Sequence, residues 1–238
     1  MTPYWFFQLR LYPWLPFLFF EAKQLRSKVP NLPSHSTFLT LGNGENRLLL
    51  LGESTVAGVG ASNIQQTLAA NFHRLFGEAY QIETIGKKGL QVKHAFSLFR
   101  RHEHAPSDTY SGILLYLGAN DCFLLTSPRQ FRQQLTKLIQ ELETETATPW
   151  IYLASIPPVH LFPAFSDRMH SFLQTQREYL QLEMQRVAEK NSKVIFHQIS
   201  MDLESDFFAK DGIHPSDSGY LKIATVAFEK LKLKISIC

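Results

Sequence analysis

The sequence predicts an α/β protein in which a five-stranded parallel sheet lies between two helical layers, and three observations carry that expectation. Leu48 to Leu51 are four consecutive leucines bounded by Asn46-Arg47 and Gly52, too short for a helix and suited to a central strand covered on both faces. Further short apolar runs alternate with segments whose apolar residues recur at helical spacing, the pattern of strands joined by right-handed crossovers. Small polar motifs follow directly after predicted strands, at the sheet edge where ligands bind in such folds.

The chain opens on an aromatic stretch. Tyr4 to Phe20 holds nine of the 30 aromatic residues in 17 positions. Arg10, Pro13 and Pro16 interrupt it, and its length is at the lower limit for a spanning helix, so a clean transmembrane segment is not expected. It also lacks the basic start and small-residue cleavage site of a secretory signal. Two placements stay open. One is a segment lying in a membrane interface, with Lys23, Arg26 and Lys28 toward anionic headgroups; the other is an extra helix packed on the domain itself. If the stretch did span, those charges would hold the body in the cytoplasm, so the expected location is cytoplasmic, with contact to the inner membrane face left open.

Val29 to Asn46, rich in Pro, Ser, Thr and Gly, reads as a linker. The organisation is therefore an arm and linker over 1–45 and a catalytic domain over 46–238. After the leucine strand, Ser62 with Gln65 reads as a capping box for a helix carrying Ile64, Leu68, Phe72 and Leu75. Tyr80 to Ile85 is the second strand, ending in Gly86-Lys-Lys-Gly89. A short helix with Val92, Ala95, Phe96 and Phe99 inward leads to a polar loop over His102 to Asp108. Gly112 to Leu117 is the third strand, ending at Gly118-Ala-Asn120-Asp121. Ser127-Pro128 starts a helix with Phe131, Leu135, Leu138 and Leu142 inward. Trp150 to Ala154 is the fourth strand, followed by an apolar, proline-containing loop to Phe165 and a long helix over 166–190. Lys193 to Gln198 is the fifth, and Ser216 caps a last helix with Tyr220, Ile223, Val226 and Leu231 inward.

Composition narrows the chemistry. The formal charge of +3 belongs to the arm: residues 1–44 hold four basic residues against Glu21 alone, and the remaining 194 balance at 20 of each sign. A neutral body offers no stripe for a phosphate backbone, so no nucleic-acid partner is expected. Cys122 and Cys238 read as free thiols, and His102, Glu103 and His104 form a solvated loop without metal-ligand spacing. No metal or cofactor is implied.

Ser54 is the first reactive side chain beyond the leucine strand, a candidate nucleophile. In Asp211-Gly-Ile-His214 a carboxylate stands three residues before an imidazole, close enough in a turn to accept its Nδ1 proton and leave Nε2 to take the serine proton. Acyl transfer also needs donors for an oxyanion. The Asn120 amide and the N–H groups of Gly89 and Ser54 can supply three, each worth about 3 kcal/mol of barrier. Singly these motifs are weak; their joint order along the strand ends is the informative feature.

In these motifs the chain resembles the SGNH hydrolases, the GDSL-type esterases and lipases, over about Asn46 to Leu231. Gly52-Glu-Ser54 is similar to the family's first block, Gly86 to Gly89 to its second, Gly118-Ala-Asn120-Asp121 to its third and Asp211-Gly-Ile-His214 to its fifth. The resemblance implies a flavodoxin-like α/β/α sandwich. It also implies Ser54 as nucleophile, Gly89 and Asn120 as oxyanion donors, and His214 oriented by Asp211. Within the family the chain looks like the bacterial lysophospholipase/esterase branch. Two positions depart from the pattern: Glu53 replaces the usual aspartate, which should alter the bracing of the nucleophile turn, and Thr84 stands where the second block usually opens with asparagine.

Competing motifs fail on residues. A phosphate loop would need Gly-Lys-Ser/Thr, and an α/β-hydrolase elbow would need glycine at Val56. A ligand-binding relative without turnover, or an acyltransferase using the same triad, stays open. For the substrate, Phe123, Leu124, Phe162 and Phe165 lie in loops behind the third and fourth strands and suit an apolar acyl group, so the expected partner is a small-molecule or lipid acyl ester.

Overall fold

The computed structural model describes residues 3–102, 109–198, 203–204 and 206–234; Glu103, His104, Asp108 and Cys238 lie outside them. The centre is a six-stranded sheet of β1 (Phe38–Leu41), β2 (Asn46–Gly52), β3 (Tyr80–Gly86), β4 (Gly112–Tyr116), β5 (Ile151–Ala154) and β6 (Val194–His197), in spatial order β1-β3-β2-β4-β5-β6. Pairing is parallel from β3 through β6, and β1 runs antiparallel to β3 at the edge. Leu48 to Leu51 are completely buried at the centre, alternating between the two helical layers. Taking each such side chain out of water contributes about 2 kcal/mol.

One layer holds α3 (Leu68–Phe76) and α8 (Asp217–Lys232); the other holds α4 (Val92–Arg101), α6 (Pro128–Thr146) and α7 (Asp167–Ala188). A short α5 (Ala119–Phe123) opens beside the leucine strand. Ser127, Ser166 and Ser216 cap α6, α7 and α8 by accepting the N–H three residues on.

Three expectations are corrected. The linker contributes β1, a sixth strand. Its four residues are half-exposed on alternate sides and carry too short a pattern to read, and they are fixed from outside: the Thr84 hydroxyl accepts from Leu39 N and donates to Ser36 O at 2.9 and 2.7 Å. The first helix of the domain begins later than expected. Thr67, not Ser62, caps α3, while Ser62 donates its N–H and hydroxyl to the Asp217 carboxylate at the start of α8. In α8 the core face is Tyr220, Ala224, Ala227 and Leu231, so Val226 is not part of it.

The aromatic stretch is helical. It forms α1 (Tyr4–Leu11), a single 3₁₀ turn at Pro13 and α2 (Leu15–Lys28). Phe7 and Leu11 are buried against Tyr179 and Phe172 of α7. No described helix is long and apolar enough to cross a membrane.

Candidate active site

The strand ends β2, β3 and β4 and the loop before α8 converge on one cavity of about 390 Å³. Ser54, Gly89, Asn120 and His214 all line it. The tight turn carrying Ser54 requires Gly52, because a Cβ there would stand 2.4 Å from Tyr116 O and 2.7 Å from a Val56 methyl. The turn is pinned from three sides. Glu53 N donates to Tyr116 O, the Ser36 hydroxyl donates to Val56 O at 2.6 Å, and the Tyr220 hydroxyl donates to Val59 O at 2.7 Å. Ser36 belongs to the linker, and nothing in a run of Pro, Ser and Thr distinguishes it.

His214 Nδ1 lies 2.5 Å from Asp211 Oδ2, while Asp211 Oδ1 accepts the N–H groups of Ile213 and His214, both at 3.0 Å. Burial works to raise the Asp211 pKa, but those hydrogen bonds outweigh it and hold the carboxyl below its ordinary value, so it remains an anion beside the imidazole. The Ser54 hydroxyl has no hydrogen-bond partner among the described residues. Contacts of this kind commonly close only when substrate is bound.

Of the expected oxyanion donors, the N–H groups of Ser54 and Gly89 find no protein acceptor among the described residues. Gly89 has φ +72° with open space where a Cβ would project, so the glycine is required by its left-handed backbone and not by crowding. Asp121, fully buried, fixes the segment after Gly89 by accepting Val92 N at 3.0 Å and the Thr126 hydroxyl at 2.9 Å. Glu53 is 4 % exposed and accepts the N–H groups of Ala119 and Asn120 at 3.1 Å, together with the Asn120 side-chain amide. One amide hydrogen of Asn120 is thus held by Glu53, leaving the other to point elsewhere. Burial pushes the Glu53 carboxyl up from its ordinary 4.5 to about 7, against the opposing effect of those three donors.

Of the expected acyl-binding residues, Phe123 and Phe162 line the cavity, and Phe165 packs against both from behind. Leu124 is exposed and is not among the lining residues. The cavity also runs to the other side of the sheet edge, onto Tyr116, Tyr152, Ala154, Ile223 and Ala227. The hydroxyls of Tyr116 and Tyr152 are buried there without a hydrogen-bond partner among the described residues. These residues escape sequence reading because neither a buried strand nor the inward face of a helix shows any difference between core and cavity wall. Arg177 of α7 holds the loop after β5 by donating Nε to Ile156 O at 2.9 Å. Of the remaining reactive side chains, Cys122 is a free, buried thiol and the His102 ring stacks on Phe38.

A model of the GDSL-like lipase/acylhydrolase family covers residues 50–222. The chain belongs to that family. No curated protein sequence matches it significantly. Among solved structures, the fold of this GDSL-family chain is similar to a lipase/acylhydrolase from Enterococcus faecalis, with a TM-score of 0.58 and 20% identity over 79% of this chain and 96% of that one. It is also similar to a carbohydrate acetylesterase from Sinorhizobium meliloti, with a TM-score of 0.62 and 16% identity over 80% and 100% of the two chains. A psychrotrophic esterase from Pseudoalteromonas sp. gives a TM-score of 0.60 at 16% identity over 79% and 98%.

Proposed function

We propose that this GDSL-family protein is a serine ester hydrolase that cleaves carboxylic acyl esters through an acyl-Ser54 intermediate. The observation that carries the reading is the aspartate-oriented His214 lining the same cavity as Ser54 and the donors Gly89 and Asn120. His214 Nε2 takes the Ser54 proton as Oγ adds to the ester carbonyl, and the resulting oxyanion accepts from the N–H groups of Ser54 and Gly89 and from the free Asn120 amide hydrogen. The C–O bond then breaks, with His214 returning the proton to the leaving alcohol. A water deprotonated by His214 releases the acid in the same way. Asp211 stays ionised and holds the imidazole with Nε2 toward the serine.

The acyl group belongs against Phe123, Phe162 and the inner wall at Ala154, Ile223 and Ala227, an apolar lining that favours a chain longer than acetyl, as in a lysophospholipid or similar lipid ester. The test is a p-nitrophenyl ester series from acetate to palmitate on wild type and Ser54→Ala. Expected are a rate maximum beyond acetate and a loss of about 10⁴-fold or more in the variant. Activity that survives in Ser54→Ala would sink the acyl-serine mechanism. A folded wild type inert on every ester would favour a ligand-binding relative or a dedicated acyltransferase.

A further inference from the structure

A helix that is apolar on all sides is stable in water only if all sides are covered. The segment from Tyr4 to Lys28 is covered on one. Tyr4, Phe7, Leu11, Leu15 and Leu18 recur at helical spacing and face α7, with Phe7 at 5 % and Leu11 at 2 % exposed. The rest of the circumference presents Trp5, Leu9, Tyr12, Phe17, Phe19 and Phe20, with Trp5 at 60 % and Phe19 at 74 % exposed. So concentrated an apolar surface marks a place where something binds.

Charge says what. The only acidic side chain of the segment, Glu21, is turned inward, accepting from the Ser166 hydroxyl at 3.0 Å and pairing with Arg168 at 3.4 Å. Arg10, Lys23 and Lys28 are exposed and form no ion pair among the described residues. Tryptophan, tyrosine and phenylalanine interleaved with unpaired cations are the composition of a helix lying at a lipid headgroup boundary. A second copy of the chain would bring like charges together.

We infer that α1 and α2 are a peripheral membrane anchor, docked on the domain by one stripe and inserted by the opposite one into the surface of an anionic bilayer. The anchor is joined to the cavity walls. Glu21 holds Ser166, next to Phe165, and the Tyr4 hydroxyl donates to Gln176 Oε1, whose amide donates to Thr126 O just beyond Phe123. An ester in the leaflet on which the anchor lies would therefore meet the protein beside its cavity. The inference goes beyond the hydrolase reading and does not depend on it.

The test is sedimentation of the full chain with vesicles of phosphatidylcholine alone and of phosphatidylcholine mixed with phosphatidylglycerol. Wild type and Ser54→Ala should bind alike, and the anionic lipid should strengthen binding about tenfold or more. The combined variant Trp5→Ser, Leu9→Ser and Phe20→Ser alters only the exposed stripe. It should lose about a hundredfold in partitioning to both vesicles while hydrolysing a soluble ester at the wild-type rate. Arg10→Gln with Lys23→Gln and Lys28→Gln, which leaves Arg26 in place, should weaken the anionic preference several-fold without changing binding to phosphatidylcholine alone. Wild type that sediments with neither vesicle, or a stripe variant that binds as wild type does, would overturn the anchor. So would a concentration-dependent dimer, abolished by the stripe variant, in a protein that ignores vesicles.

Discussion

Glu53 stands where the family pattern has aspartate, and its carboxylate spans from the Ser54 turn to the start of α5, gathering two backbone donors and the Asn120 amide. The serine block and the asparagine block are thereby tied through one buried group, 66 and 67 residues apart in sequence. That contact could not be read from the chain, since a glutamate between glycine and serine gives no sign of what it reaches. Its protonation has a definite sign. The folded pKa, about 7, lies above the ordinary 4.5, so between those values the folded protein holds a proton that the unfolded chain has released. Stability should fall as pH rises through that window and level off above it, by about 3 kcal/mol in all. Glu53→Gln cannot titrate, so the unfolding free energy of wild type minus that of the variant should drop by that amount from acid to mildly alkaline pH in urea titrations. A pH-independent difference would refute the assignment. Because the new amide sets a donor against the donors at Ala119 and Asn120, kcat should fall about tenfold or more with KM little changed.

At the scale of elements, the five parallel strands and the capped starts of α6 and α8 were legible from local signals, strongest in the leucine run of β2 and in the serine and Pro at the start of α6, and weakest in β3. The edge strand was not, because its order comes from a partner. Thr84, a departure from the family's second block, supplies it: one hydroxyl joins β3 to Leu39 and to Ser36, and Ser36 in turn holds Val56 in the Ser54 turn. Thr84→Val keeps the shape and the β-branch but strips both bonds, leaving the buried Ser36 carbonyl without that donor. The expected cost is about 2 kcal/mol, a fall of about 5 °C in melting temperature, with faster amide exchange confined to β1 and residues 36–37. An unchanged melting temperature would mean that β1 is held by its ladder alone.

For the whole molecule, the sequence puts a boundary near residue 45, but the contacts put a sharper one earlier. Residues 4–28 touch the domain through one apolar stripe on α7 and a few polar ties, whereas residues 31–41 are built into it. His35 and Ser36 both donate their N–H groups to Ala57 O, Lys88 of the cavity rim binds Asn31 and the Leu32 carbonyl, and Gly86 N donates to Thr37 O. Two truncations should therefore separate cleanly. A chain beginning at Pro30 uncovers Tyr179 and Phe172 and forgoes the burial of Phe7 and Leu11, worth about 2 kcal/mol each, yet it keeps every support of the Ser54 turn. It should fold and turn over soluble esters at close to the full-length rate. A chain beginning at Asn46 also lacks β1 and the Ser36 brace and leaves the Val56, Ala57 and Gly86 backbone groups facing nothing, at about 1–3 kcal/mol for each buried group left unpaired. Its melting transition should move down by well over 10 °C or disappear, with ester activity lost alongside it. If the shorter chain kept both, the linker would be a passive connection and the cavity would owe its shape to residues after 45 alone.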